Sequence, residues 1–202
     1  MNVKSLTAHR VAVAVGLVLA LGCGVAAQAS ATGPRTISGK ADAVTHRSGG
    51  SAAKATVAAC SQKVLGVSAV TEPADSKDAR HLLLTVQNAG DKKCKLYRYP
   101  LVRLGNGRST APVIKESAPN PGVPITLAPG EEAYAALLVN GPMDEYKAKS
   151  ITLSLQGRKP GSRAGKPINV PMPVKTLYAN DFQRVTYWTT APGYALDFIM
   201  SK

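Results

Sequence analysis

Histidine is scarce in this chain, which contains only three among 202 residues. His46 lies in a stretch of small and polar residues, and His81 lies at the start of a predicted strand. The sequence also lacks a G-x-S-x-G elbow, an H-E-x-x-H helix and a C-x-x-C pair, which mark common hydrolases, zinc enzymes and redox proteins. We therefore expect a protein that is not an enzyme and has no cofactor or metal. The alternative is a hydrolase with an unrecognised site that uses His81.

Long apolar runs are also lacking. The longest, VAVAVGLVLALG at residues 11–22, is shorter than the ~20 residues that a transmembrane helix needs. Basic residues before it and small residues after it are typical of an export signal. We predict a signal peptide over residues 1–29 and a secreted chain that begins at Ser30. The alternative is lipid modification of Cys23 in LALGC, which would anchor the chain to the outer face of the membrane.

Cysteine is equally scarce, with three in the chain. Once Cys23 is assigned to the leader, Cys60 and Cys94 remain. Two cysteines in an exported protein favour one disulfide bond. A bond between them would close a loop of roughly 35 residues, for which loss of chain entropy in the unfolded state gives about 3 to 4 kcal/mol of stabilisation.

Acidic residues are few, with 12 Asp and Glu against 25 Lys and Arg and a formal net charge of +13. Such an excess favours anionic partners, here a cell-wall polymer or a membrane surface, because charge attraction acts at long range. No motif indicates specific recognition of nucleic acid. The alternative is a charge that serves solubility alone. Two loops hold the candidate polyanion-binding residues, Lys92, Lys93 and Lys95 in the first and Arg158, Lys159, Arg163 and Lys166 in the second.

The chain divides by composition into a leader, a tether and one domain. Residues 30–59 contain no aromatic residue and too little apolar surface to offset the entropy of folding, so we predict a disordered tether rich in Ala, Ser, Gly and Thr. Residues 60–202 are long enough for one domain with a core. Their apolar residues alternate with period two and show no convincing helical period. The predicted strands are residues 64–71, 81–87, 97–104, 123–127, 133–139, 151–155, 168–174 and 184–190.

Turn-forming residues separate these strands. They are NAGD at 88–91, NG at 106–107 and APGE at 128–131, and the pair Pro129-Gly130 suits a type II turn. Pro171 and Pro173 cannot donate to a strand ladder, which places INVPMPV at a sheet edge or outside the sheets. The predicted fold is an all-β, immunoglobulin-like antiparallel β-sandwich with one disulfide, and a small β-barrel is the second choice.

The order of several short motifs resembles the secreted family called domain of unknown function 4232. Its members show a first cysteine, a strand followed by N-x-G-x-x-x-C, then G-Y-P, and later L-x-P-G before an alanine-rich strand. The matching residues here are Cys60, Asn88, Gly90, Cys94, Tyr99, Pro100 and residues 127–130. Arg98 stands where the family commonly has glycine. The resemblance implies a secreted or lipid-anchored sandwich domain and carries no activity with it.

Three functional hypotheses follow from these observations. The first is a non-enzymatic, secreted or envelope-associated module that binds anionic polymer through its basic loops. In a variant of this hypothesis, Tyr97, Arg98 and Tyr99 form the ligand platform. The second is the hydrolase named above, and the third is a purely structural spacer.

Overall fold

The computed structural model describes residues 56–76 and 78–202. The predicted signal peptide, Cys23 and most of the predicted tether lie outside the described residues. The strands within the described part are β1 (Leu65–Thr71), β2 (His81–Asn88), β3 (Cys94–Leu104), β4 (Ile125–Leu127), β5 (Glu132–Leu138), β6 (Tyr146–Ala148), β7 (Ile151–Gln156), β8 (Ile168–Val170), β9 (Leu177–Ala179) and β10 (Arg184–Val185). A 3₁₀ turn at Lys115–Ser117 and a short helix, α1 (Pro192–Asp197), complete the secondary structure.

Two four-stranded antiparallel sheets form the domain. The first has the strand order β1-β2-β5-β10, and the second has the order β4-β3-β7-β8. A separate two-stranded sheet pairs β6 with β9. The all-β sandwich predicted from the period-two pattern is therefore confirmed, and the sheets do not close into the barrel that was the second choice.

The core lies between the two sheets, because alternate side chains of each strand point inward. In β7, the prediction that Ile151, Leu153 and Leu155 share one buried face is confirmed. They join one hydrophobic cluster with residues of the opposite sheet, including Leu82 and Leu84 of β2. Burial of these apolar side chains is the main favourable term in folding.

A second, smaller cluster covers the outer face of β5. Ala136 and Leu138 of that strand pack against Ala195 of α1 and Ile199. We expected no helix, and α1 is a correction to that expectation. A six-residue helix makes less than two turns, which is too short to show a repeating apolar pattern in sequence.

Other corrections concern short or proline-containing segments. The strands β6 and β9 are only three residues long and were not predicted. The predicted strand 168–174 ends at Val170, just before Pro171, and β8 lies at a sheet edge as expected. The predicted strand 184–190 ends at Val185, although Thr189 makes an isolated bridge to Tyr134.

The disulfide between Cys60 and Cys94 is confirmed, with both residues buried and their Cα atoms 4.8 Å apart. Backbone bonds flank it, since Cys60 N–H donates to Lys95 O and Lys95 N–H donates to Ala58 O. The bridge therefore joins the beginning of the domain to the first residue of β3.

Candidate functional site

The turn between β2 and β3 is built around the buried side chain of Asn88. Its Oδ1 accepts the Gly90 N–H at 3.1 Å, and its Nδ2 donates to Lys92 O at 2.9 Å and to Leu127 O at 3.0 Å. An asparagine that bonds its own chain two residues on is a known turn former. A Cβ on Gly90 would lie 3.0 Å from the Val64 Cβ, so the glycine allows close packing there. The N-x-G motif thus fixes where β3 begins.

The next distinctive feature is a bulge in β3 at Arg98. Pairing with β7 shifts register between Tyr97 and Leu101, and Arg98 has a φ of 57°. This left-handed conformation favours glycine, which is the residue common at this position in the family that the sequence resembles. The bulge explains why glycine suits the motif, and it turns the Arg98 side chain toward the end of β7.

Two hydrogen bonds hold the Arg98 guanidinium. Its Nη1 donates to Gly157 O at 2.9 Å, and its Nη2 donates to Arg158 O at 3.0 Å. A guanidinium has five N–H donors, so these two bonds leave others for a ligand. The charge of Arg98 is therefore fixed beside the backbone of Arg158.

Lys95 and Arg158 come from the two predicted basic loops, and the sheet brings them to one place. Tyr97 pairs with Gln156, so a step of two residues along each antiparallel strand leads to Lys95 and Arg158. Both residues line a cleft of about 1190 Å³ together with Arg98. The remaining lining residues are Thr56, Val57, Ala58, Ala59, Leu96, Tyr97, Pro119, Asn120, Gly122, Val123, Pro124, Ile125, Thr126, Tyr187, Trp188 and Thr190. No acidic side chain is among them.

This composition makes the cleft a candidate anion site. Three cationic residues line one concave surface, and no carboxylate is in the lining to offset their charge. Charges in a cleft with low-dielectric walls attract counter-ions more strongly than the same charges spread over an open surface. Lysine acts there as a point charge, whereas arginine can bind a phosphate or carboxylate with two parallel N–H donors.

The other predicted polyanion-binding residues lie outside the cleft lining. Lys92 and Lys93 are exposed in the turn after β2, and Lys159, Arg163 and Lys166 are exposed in the connection from β7 to β8. That connection begins with a hydrogen-bonded hairpin. Gly157 N–H donates to Ser162 O, and Ala164 N–H donates to Leu155 O. The sequence thus identified the two loops but not which of their charges converge.

The Tyr97, Arg98 and Tyr99 platform is divided by the bulge. Tyr97 and Arg98 line the cleft, but Tyr99 does not and packs edge-to-face on Tyr187 at 5.2 Å between ring centroids. Trp188 N–H donates to Arg98 O at 3.0 Å. Trp188 is among the lining residues, but its side chain is 2% exposed and belongs to the main hydrophobic cluster, and its Nε1 has no hydrogen-bond partner.

Sequence reasoning missed one wall of the cleft. Residues 119–126 carry no charge and follow the 3₁₀ turn, and Tyr187 and Trp188 lie in what was predicted to be a strand. For residues 119–126, the one relevant sequence feature was the concentration of prolines between residues 119 and 124, which indicates a stiff, irregular segment. Nothing in the sequence indicated that this segment would pair with the strand that contains Lys95.

His81 lies at the start of β2 and is not among the cleft residues. Burial lowers the pKa of its imidazole from the ordinary value of 6.5, and the positive charge of Arg80 lowers that pKa further. Within residues 56–76 and 78–202 there is no group of three or more His, Cys, Asp and Glu side chains placed to hold a metal. In the same part of the chain, no helix has the length and apolar character to cross a membrane.

A family comparison agrees with the order of motifs. The sequence model described as Domain of unknown function (DUF4232) matches residues 60–189. No curated protein and no solved structure matches the chain. The match begins at the first disulfide cysteine and includes the cationic residues of the cleft, and it ends before α1.

Proposed function

The chain belongs to the DUF4232 family, and on that premise we propose that it is a non-enzymatic extracellular module whose cleft binds an anionic polymer of the cell envelope. One observation carries the proposal. Lys95, Arg98 and Arg158 line one cleft whose lining contains no acidic residue.

Binding rather than catalysis is the role that this cleft supports. Its polar side chains are one lysine, two arginines, three threonines, two tyrosines, one asparagine and the tryptophan indole. Cations of this kind position and neutralise an anion, whereas hydrolysis would also need a base or nucleophile in reach of the bound group. His81, the candidate for that role, does not line the cleft.

Export is part of the proposal and is argued from the leader and the cysteine pair. The buried disulfide between Cys60 and Cys94 is a bond that persists in oxidising compartments and is rare in the cytosol. An extracellular module would meet anionic wall polymers at the cell surface. N-terminal sequencing of protein from the culture medium should find a chain that begins at or near Ser30. A detergent-soluble chain that begins at an acylated Cys23 would replace secretion by membrane anchoring.

The binding test compares two pairs of cationic residues that differ in position alone. Lys95→Gln with Arg158→Gln removes two charges from the cleft, and Arg163→Gln with Lys166→Gln removes two exposed charges outside it. The probe is poly(glycerol phosphate), and its affinity is measured between 50 and 200 mM salt. The cleft pair should reduce the slope of log affinity against log salt by about 1.4 to 1.8, because each of the two lost phosphate contacts removes roughly 0.7 to 0.9 by analogy with nucleic acids.

The control pair should change the slope by less than half of that amount. Equal losses for the two pairs would mean that the charge acts as a diffuse surface property, and the cleft would not be the binding site. Absence of salt-dependent binding by the unaltered protein would overturn the proposal altogether. Circular dichroism of each variant would establish that the sheets remain folded.

A further inference from the structure

The cleft has a second wall with a different chemistry from the first. Residues 118–130 contain no charged side chain, and seven of them, from Pro119 to Thr126, line the cleft. This uncharged wall adjoins the basic one, because Thr126 pairs with Lys95 in the neighbouring strand. Val123 is 59% exposed, the highest value among the large hydrophobic residues that the structure describes as exposed. Val123 continues into Pro124 and Ile125, which also line the cleft, and a contiguous apolar patch rimmed by polar residues marks a binding surface.

The backbone holds Val123 in this exposed position. Val123 N–H donates to Asn120 O at 3.1 Å, and Gly122 has a φ of 83°. With Pro121 at the second position and Gly122 at the third, these residues fit a type II turn. Pro124 restricts the conformation of Val123 from the other side. The valine is therefore presented by a stiff turn and is not free to fold away into the core.

The volume of the cleft also bears on its ligand. At about 1190 Å³, it slightly exceeds the range of ~300–1,000 Å³ that is typical of small-molecule sites. A lone phosphate or carboxylate bound at Arg98 would leave most of that space empty, including the surface beside Val123. A ligand that fills the cleft must cover apolar as well as cationic surface.

We propose that the cleft is specific for an amphiphilic anion, with a phosphate or carboxylate group bound by Lys95, Arg98 and Arg158 and an apolar group packed on Val123, Pro124 and Ile125. This inference rests on the proposed function and names the ligand class more narrowly. The charge complementarity of the first wall selects the anionic end, and the uncharged second wall selects the apolar end. A polymer meets the requirement where its anionic groups carry apolar substituents.

The test compares octyl phosphate, methyl phosphate and the neutral octyl glucoside, each titrated calorimetrically below its critical micelle concentration into the exported chain. Octyl phosphate should bind at least tenfold more tightly than methyl phosphate, because each buried CH₂ contributes roughly a fourfold gain in affinity. Octyl glucoside should bind more weakly than octyl phosphate, because it lacks the anionic end.

Variants separate this inference from the proposed function. Val123→Ser should weaken octyl phosphate binding about fivefold and leave methyl phosphate binding unchanged, since the lost contact is apolar. Val70→Ser is the matched control, because Val70 is also an exposed valine but lies on β1 outside the cleft lining. Lys95→Gln with Arg158→Gln should weaken the binding of both phosphates.

Three results would overturn the inference. Equal affinity for octyl and methyl phosphate would leave an anion site without apolar selectivity, so the proposed function would stand and this inference would fail. Equal effects of Val123→Ser and Val70→Ser would have the same meaning. Equal affinity for octyl glucoside and octyl phosphate would show that the anionic group does not contribute to binding. Competition by phosphatidylglycerol vesicles would identify a membrane lipid as the source of the amphiphile, and its absence would identify a free or polymer-borne group.

Discussion

Replacing Arg98 by glycine and by alanine should give the reverse of the usual order of stability. Alanine normally stabilises a strand over glycine by about 0.5 to 1 kcal/mol. At Arg98 the backbone has a φ of 57°, and a side chain in the left-handed region costs about 1 to 2 kcal/mol that glycine does not incur. The difference favours Arg98→Gly over Arg98→Ala by about 0.5 to 1 kcal/mol.

Both variants lose the hydrogen bonds of the guanidinium, so both should have a lower free energy of unfolding than the unaltered protein. One bond, to Gly157 O, is partly buried, and the other, to Arg158 O, is exposed. At about 0.5 to 1.5 kcal/mol each, their loss should destabilise Arg98→Ala by about 1 to 3 kcal/mol. Arg98→Gly loses the same bonds but is relieved of the backbone strain, so its free energy of unfolding should lie between those of the other two proteins.

Urea denaturation followed by tryptophan fluorescence would measure these differences. Trp188 is the single tryptophan of the chain, and its 2% exposure ensures that unfolding changes its environment. Arg103 is the control, because it is exposed on the same strand and is not among the residues with positive φ. There the usual order should hold, with Arg103→Ala more stable than Arg103→Gly. The same order at Arg98 would refute the assigned backbone conformation and the explanation of the glycine in the family motif.

Three further predictions concern stability. Replacement of Cys60 or Cys94 by alanine should lower the free energy of unfolding by about 2 to 5 kcal/mol, and stoichiometric thiol labelling of the native exported protein would contradict the bond on which this depends. Asn88→Ala should lower the free energy of unfolding in urea by about 2 to 4 kcal/mol, because it leaves buried backbone groups without partners. The control is Gln87→Ala at the exposed neighbouring residue, which should cost less than about 0.5 kcal/mol. Similar values for the two variants would argue against the buried turn. The lowered pKa of His81 means that the unfolded chain binds a proton first as pH falls, so its contribution to stability is present above pH 6.5 and is lost below it. His81→Gln should reduce the fall in stability between pH 7.5 and 5, and identical pH profiles would show that His81 is not the group responsible.

The parts of the fold that were predictable depend on residues with local effects. Pro129 and Gly130 were expected to form a type II turn, and Gly130 has a φ of 82° with Glu131 N–H bonded to Ala128 O. The disulfide was predictable because only Cys60 and Cys94 remain once Cys23 is assigned to the leader. Alternation in β7 predicted its buried face because one side of a strand faces the core. Each of these inferences needed only a few neighbouring residues.

The cleft could not be predicted in the same way, because its walls come from distant parts of the chain. Lys95 and Arg158 are more than 60 positions apart and meet through the register of β3 with β7. Trp188 comes from a third part of the chain and reaches the bulge through a backbone bond from its amide N–H to Arg98 O. A charge count over the sequence gives the number of cations but not which of them share a concave surface.

The position of the disulfide has a mechanical consequence. The chain enters the domain at residues 56–60, where Ala58 and Cys60 make backbone bonds to Lys95 at the start of β3. A pulling force applied to the N-terminal side of the domain would break those few bonds one at a time, and would then meet the covalent link from Cys60 to Cys94. From there the load passes into β3, a strand paired on both sides within its sheet, and β1 is bypassed. Under tension from its N-terminal side the domain would thus keep its first strand, and reduction of this one bond would remove that resistance.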